Sequence, residues 1–79
     1  ISLYPNPFTN IINIHLNEEV SENLNLKIFD LTGKLIFNRV LTPARKNSIN
    51  LSKLNPSEYL IKIDSEQKIF NSIIIKTEW

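Results

Sequence analysis

Apolar and polar side chains alternate in several short segments of this chain, and the alternation constrains the fold more than any other feature. In residues 12–16 isoleucine and leucine alternate with asparagine and histidine, and similar alternation recurs at 24–29 and 59–64. A period of two residues is typical of a β-strand with one buried face. No window repeats apolar residues at the spacing of an amphipathic helix, so the pattern predicts strands and no helix.

Turn residues separate the alternating segments. Gly33, the only glycine, stands where a hairpin loop requires a positive φ angle, and the pair Asn55-Pro56 is typical of a turn. Residues 42–47 are predicted to form a polar connector, and residues 64–67 a tight loop. The other predicted strands are 35–41, 48–51 and 68–76.

These segments amount to about seven short strands, which predicts an all-β fold, an antiparallel immunoglobulin-like β-sandwich. The 79 residues are expected to form a single domain, because a chain of this length has no room for a second core. It has no cysteine, and its single tryptophan, Trp79, stands at the last position. Packing must therefore hold the fold without the disulfide and core tryptophan of antibody domains.

Charge and hydropathy exclude several kinds of partner. Nine basic and eight acidic residues give a formal net charge of +1, which creates no field that attracts nucleic acid or an anionic membrane. No apolar run exceeds three residues, the length of the run at 73–75, which is far shorter than the roughly 20 residues that span a bilayer. We therefore expect no nucleic-acid binding, no membrane-spanning segment and no cofactor.

Few side chains in the sequence can carry chemistry. His15 is the only histidine, and it alternates with apolar neighbours, which predicts a solvated position on the polar face of its strand. A catalytic triad would combine His15 with a serine such as Ser21 or Ser72, and the spacing supports neither. One imidazole is too few for a zinc site, and the three glutamates within 18–22 are typical of a solvated turn. The sequence therefore predicts no catalytic site and no metal site.

The two ends of the chain carry its most specific local signals. In the opening Tyr-Pro-Asn-Pro-Phe sequence, two prolines fix their own φ angles and hold Tyr4 and Asn6 in extended geometry. At the other end, three isoleucines form an apolar strand that closes on Lys76. Taken alone, the opening segment is also compatible with an ordinary Pro-x-Pro bend before a first strand.

From Leu3 to Lys76 the order of motifs resembles the C-terminal sorting domain of proteins that Bacteroidetes secrete through the type IX secretion system. The opening is followed by a strand at 11–16, a Leu-Lys-Ile-Phe-Asp-Leu-Thr-Gly-Lys-Leu-Ile core at 26–36, a Leu-Ser-Lys-Leu turn at 51–54 and a tyrosine-containing strand at 57–63. The family motif residues are Tyr4, Pro5, Asn6, Pro7, Asp30, Gly33, Lys34 and Tyr59.

Two positions depart from the family pattern. Ser57 stands where the family usually has glycine, which indicates a turn with less extreme dihedral angles or mild strain. The chain also continues through Thr77, Glu78 and Trp79 beyond the usual terminal lysine, so its extreme C-terminus differs from the one that the family presents.

The resemblance implies a C-terminal export signal on a larger secreted protein, whose own signal peptide lies upstream of Ile1. It implies that the outer-membrane translocon and its shuttle protein bind the folded domain in the periplasm. A sortase-like peptidase would then cut before the domain, and the upstream cargo would be released or attached to the cell surface. Segment 4–8 would set the start of the fold and the junction with the cargo.

Translocon recognition is expected at the terminal residues Ile73, Ile74, Ile75 and Lys76, where an edge strand would extend a partner's sheet. A second interpretation is a non-catalytic immunoglobulin-like adhesive or carbohydrate-binding accessory module. Such modules bind sugars with a row of exposed aromatic side chains. Here the aromatic residues are scattered over different predicted strands beside isoleucine and leucine, which favours core packing.

Overall fold

The computed structural model describes residues 1–16, 23–42, 44–66 and 68–77, and these contain seven β-strands and no helix. The strands are β1 Ser2–Tyr4, β2 Ile11–His15, β3 Leu24–Phe29, β4 Leu35–Leu41, β5 Lys46–Asn50, β6 Ser57–Asp64 and β7 Ile69–Lys76. The all-β prediction is confirmed, and β3 and β4 have the bounds that the sequence predicts.

The strands form two antiparallel sheets. The first has the order β1-β2-β5, and the second has the order β4-β3-β6-β7. In a constant-type immunoglobulin domain the fourth strand belongs to the first sheet, whereas here β4 pairs with β3 in the second. The predicted sandwich is confirmed, and its second sheet is the larger one.

The inner faces of both sheets supply one hydrophobic core. Ile12 and Ile14 of the first sheet and Leu26, Ile28 and Ile61 of the second are fully buried. These residues occupy the positions that the period-two pattern assigns to the buried face. Burying a side chain of this kind stabilises the fold by about 1.5–3 kcal/mol. Burial of these inner-face side chains is therefore the main source of stability.

The fifth strand begins earlier than the sequence predicts. Residues 42–47 are expected to form a connector, whereas β5 starts at Lys46 because that residue pairs with His15 at the end of β2. Polar residues can pair through their backbone, so their side chains gave no signal of a strand. Leu51, expected within this strand, lies just beyond it and is buried.

Two other turns are close to their predicted form. In the loop predicted at 64–67, the Ser65 N–H donates to the Lys68 carbonyl at 2.9 Å, while Gln67 lies outside the described residues. Ser57 is the first residue of β6, and no described residue other than glycine has a positive φ. The less extreme dihedral angles expected at Ser57 are therefore observed.

Candidate functional site

The segment 4–8, which we name the strap, lies along the outer edge of β7. Both X-Pro peptide bonds in it are cis. The Asn6 side-chain amide donates to the Ile73 carbonyl at 3.0 Å, and the Ile75 N–H donates to Asn6 Oδ1 at 2.9 Å. A single asparagine side chain thus takes the place that a peptide group of a neighbouring strand would occupy.

The backbone of Phe8 continues this pairing. Its N–H donates to the Ile75 carbonyl at 2.8 Å, and its carbonyl accepts from the Thr77 N–H at 2.8 Å. The Phe8 side chain is 1% exposed and belongs to the core. The strap therefore joins β1 in the first sheet to the edge of β7 in the second, a contact that the alternation does not predict.

The four terminal residues expected to form one recognition site lie on two faces of β7. Ile74 and Lys76 point inward and are buried, whereas Ile73 and Ile75 point outward and are exposed. Lys76 is the only charged residue among the described ones that is buried to this degree. A partner that approaches the outer face would thus contact the Ile73 and Ile75 side chains.

An apolar row crosses the outer face of the second sheet. Residues paired directly across antiparallel strands share a face, and Phe29 pairs with both Leu35 and Leu60, which in turn pairs with Ile73. Sequence reasoning did not combine these side chains into a surface. The signal was an apolar residue on the otherwise polar face of two predicted strands, Phe29 in the one and Leu60 in the other.

A shallow depression of about 610 Å³ lies on this face. Its lining residues include Phe29, Leu31, Leu60, Ile69 and Ile73, together with Asp30, Gly33, Lys62 and Asn71. Most of this lining is apolar although it faces solvent. An exposed apolar patch on a small domain is typical of an interaction site.

Two lysines lie beside the apolar row. Lys27 pairs directly with Lys62 on the adjacent strand, and like charges in that position destabilise a sheet. Neither forms an ion pair with another described residue. Asp64 lies on the same face in the neighbouring row, and its Oδ1 atom is buried with no described hydrogen-bond partner. The two lysines outnumber the one carboxylate, so this part of the face is net positive and favours an acidic side chain of a partner beside the lysines.

The hairpin between β3 and β4 is organised by Asp30. Its Oδ1 accepts from the Thr32 N–H at 2.9 Å, the Thr32 hydroxyl at 2.6 Å and the Lys34 N–H at 3.0 Å. Gly33 follows with φ of 90°, the conformation that the sequence predicts. This turn holds the end of the hairpin beside the depression.

The same contacts make the stability of the hairpin dependent on pH. Hydrogen bonds from the Thr32 side chain and then from the Lys34 N–H lower the pKa of Asp30 below its ordinary value of 3.8, although burial opposes the shift. Because the folded pKa is depressed, the contribution to stability is complete above pH 3.8 and is lost as the pH falls through the folded pKa.

We expect Asp30→Asn to flatten the loss of stability below pH 4, which denaturation with urea across an acidic pH series measures. Glu66→Gln, at an exposed carboxylate in another loop, serves as the control and should leave the acid dependence of stability nearly unchanged. An unaltered acid profile in Asp30→Asn would contradict the role assigned to Asp30.

Tyr59 fixes the turn that precedes β6. Its ring is buried in the core, and its hydroxyl donates to the Asn55 carbonyl four residues upstream. Burial, and to a lesser extent the negative charge of Asp30, raises the pKa of Tyr59. A tyrosine that ties its own strand to the preceding turn is the arrangement found at the corner of immunoglobulin-like sandwiches.

Tyr59→Phe is expected to lower the free energy of unfolding by about 1 kcal/mol, because the Asn55 carbonyl loses its donor. Tyr4→Phe, which removes a hydroxyl from an exposed side chain, should change it by less than about 0.5 kcal/mol. Urea denaturation measures both values, and equal losses in the two variants would contradict this role of Tyr59.

The side chains considered for catalysis are not brought together. His15 is half-buried and pairs across the strands with Ser2 and Lys46, whereas Ser72 lies in β7 of the other sheet. Ser21 and the three glutamates within 18–22 lie outside the described residues. Among the residues that are described, no three metal-binding side chains cluster, and no helix is long and apolar enough to cross a bilayer.

The aromatic side chains do not form a sugar-binding row in the described part of the chain. Phe8 and Tyr59 are buried, while Phe29, Phe37 and Phe70 are half-buried. Among the described aromatic residues only Tyr4, in the strap, is exposed, and Trp79 lies outside the described residues. No observation therefore favours the carbohydrate-binding interpretation.

Comparison with known proteins agrees with the motif order. The model of one family, described as the secretion system C-terminal sorting domain, matches residues 2–76. A comparison with curated proteins gave no match. The family match covers β1 to β7, including the strap and the terminal lysine. The chain belongs to the family of C-terminal sorting domains of the type IX secretion system.

Proposed function

We propose that the folded sandwich, rather than a free C-terminal peptide, is what the translocon and its shuttle protein bind in the periplasm. Membership in the family indicates a type IX sorting signal on a secreted or cell-surface cargo, and the family is not one of enzymes.

The observation that carries this proposal is the position of the terminal segment within the fold. Ile74 and Lys76 are buried in β7, and β7 is hydrogen-bonded to β6 on one side and to the strap on the other. A partner therefore meets the outward side chains of Ile73 and Ile75 as part of a sheet surface. A partner that bound this segment as an unfolded peptide would have to break the hydrogen bonds of β7 to β6 and those of β7 to the strap.

After passage across the outer membrane, a sortase-like peptidase would break the peptide bond between the cargo and this domain. Transfer of the cargo's acyl group to water would release the cargo. Transfer to a nucleophile on anionic surface lipopolysaccharide would attach it to the cell. The strap follows β1 directly, so the start of the fold, next to the cargo junction, is tied to β7 at the same edge that contains the recognition residues.

The proposal is tested by fusing residues 1–79 to a fluorescent protein that is exported to the periplasm of a type IX-competent bacterium. We expect fluorescence in the medium or on the cell surface, and we expect it to disappear in a strain without the translocon. The fluorescent protein without the domain is the control and should stay in the periplasm. Periplasmic retention of the fusion in the competent strain would contradict the proposal.

A further inference from the structure

The outer edge of β7 is divided into a covered half and an open half. The strap bonds to the Ile73 carbonyl and to both backbone groups of Ile75, so these groups point away from β6. Backbone groups of alternate residues along a strand point the same way, which directs those of Ile69 and Asn71 to the same edge. No described residue forms a hydrogen bond with them there.

The open half lacks the protection that sheet edges usually have. Natural edges are blocked by charged side chains, proline, bulges or a covering segment, because unpaired backbone groups otherwise recruit another chain. On this edge the strap covers only the C-terminal half. The side chains flanking the open half are apolar and exposed, with Ile69 at 65% and Ile73 at 47%. The fold thus leaves unpaired backbone groups beside exposed apolar side chains at one place, the N-terminal half of the outer edge of β7.

The rows of side chains next to the open half indicate which sequence would fit it. A row consists of side chains that pair directly across neighbouring strands. The row of Asn71 contains Lys62 and Lys27, and it lies between the row of Ile69 and the row of Ile73. An added strand would place one side chain in each of these three rows. Apolar side chains fit beside Ile69 and Ile73. An acidic side chain would lie opposite Asn71, with Lys62 one strand beyond, and the two lysines of this row outweigh the single carboxylate of Asp64 in the Ile69 row.

We propose that Ile69–Ile73 is a strand-addition site for an extended segment of a translocon protein with an apolar-x-acidic-x-apolar pattern. This inference rests on the proposed function, because the partner is a component of the secretion machinery. The site ends at Ile73, because the Asn6 side chain of the strap already donates a hydrogen bond to the Ile73 carbonyl. Main-chain pairing would supply affinity, and the alternate side chains would supply selectivity.

The first test compares Ile69→Lys with Val40→Lys in the fluorescent fusion. Both residues lie in the same row of the outer face, at opposite edges of the sheet, and they are 65% and 58% exposed. Lysine opposes pairing at an edge strand. We expect Ile69→Lys to lower the secreted fraction at least about tenfold and Val40→Lys to change it less than twofold, while circular dichroism shows both variants folded.

The second test places a photo-crosslinking amino acid at Asn71 and, as the control, at Asn38. These two asparagines are exposed at the two ends of another row. We expect position 71 to crosslink to a translocon component identified by mass spectrometry, and the adduct to be absent in a translocon-deficient strain. Position 38 should give little of this adduct.

The outcomes separate the inference from the function on which it rests. If the wild-type fusion is secreted and Ile69→Lys is secreted equally well, the strand-addition site is overturned while the sorting function stands. If the wild-type fusion stays in the periplasm, the sorting function and the site both fail. If Ile69→Lys only converts a dimer into a monomer in light scattering, the edge pairs two copies of this chain and the proposed partner is wrong.

Discussion

Replacing Phe8 with alanine is expected to lower the free energy of unfolding by about 3–5 kcal/mol, because a large buried side chain leaves a cavity. Phe8 is 1% exposed, and its backbone holds the strap on β7. A domain of 79 residues has a total stability of roughly 4–12 kcal/mol, so this one contact is a large part of it. Urea denaturation followed by circular dichroism measures the loss.

Phe29→Ala is the matched control for this prediction. It removes the same atoms from a half-buried ring in the apolar row, outside the core. We expect less than half of the loss seen for Phe8→Ala, because the site is open to water and leaves no closed cavity. A larger loss in Phe29→Ala than in Phe8→Ala would contradict the account of the strap as a part of the core.

Replacing Ile74 with alanine is also expected to lower the free energy of unfolding strongly. Comparison with Ile73→Ala distinguishes the inner face of β7 from its outer face. Ile74 is fully buried, so Ile74→Ala should cost about 2–5 kcal/mol of unfolding free energy. Its neighbour Ile73 is 47% exposed, and Ile73→Ala should cost less than about 1.5 kcal/mol. Thermal denaturation measures both variants, and equal losses would contradict the assignment of these residues to opposite faces.

This difference matters for experiments on the C-terminus. Truncation after Ser72 removes inward-facing Ile74 and Lys76 together with outward-facing Ile73 and Ile75. Loss of secretion after such a truncation would not distinguish unfolding of the sandwich from loss of a recognition surface. Single substitutions on one face of the strand make that distinction.

The sequence predicts those features of the fold that depend on local patterns. Alternation of apolar residues identifies β3 with its observed bounds, because burial of one face requires a period of two. The bounds of β4 follow instead from the hairpin loop before it and the polar connector after it. Gly33 identifies the hairpin loop, because its positive φ is a local property of the turn. The hydrogen bonds that Asp30 accepts in this turn are seen only in the structure.

Features that depend on distant pairing are not predicted. Asn6 and Ile73 are 67 positions apart, and no periodicity indicates that an asparagine side chain will bond to a strand edge. The start of β5 at Lys46 is missed for a related reason, since polar residues join a sheet through backbone groups that all residues share. The apolar row can be recognised only when the register of four strands is known. The pattern within a single strand does not contain that register.

If the folded domain is the signal, a fluorescent fusion that carries Phe8→Asp should not be secreted. This substitution buries a charge in the core, which should unfold the sandwich, and it leaves residues 69–79 unchanged. Thr9→Asp adds the same charge at the exposed neighbouring position and serves as the control. We expect the Phe8→Asp fusion to remain in the periplasm and the Thr9→Asp fusion to be secreted like the wild type. Wild-type secretion of a Phe8→Asp fusion that circular dichroism shows to be unfolded would contradict the claim and would make the linear terminal segment the signal.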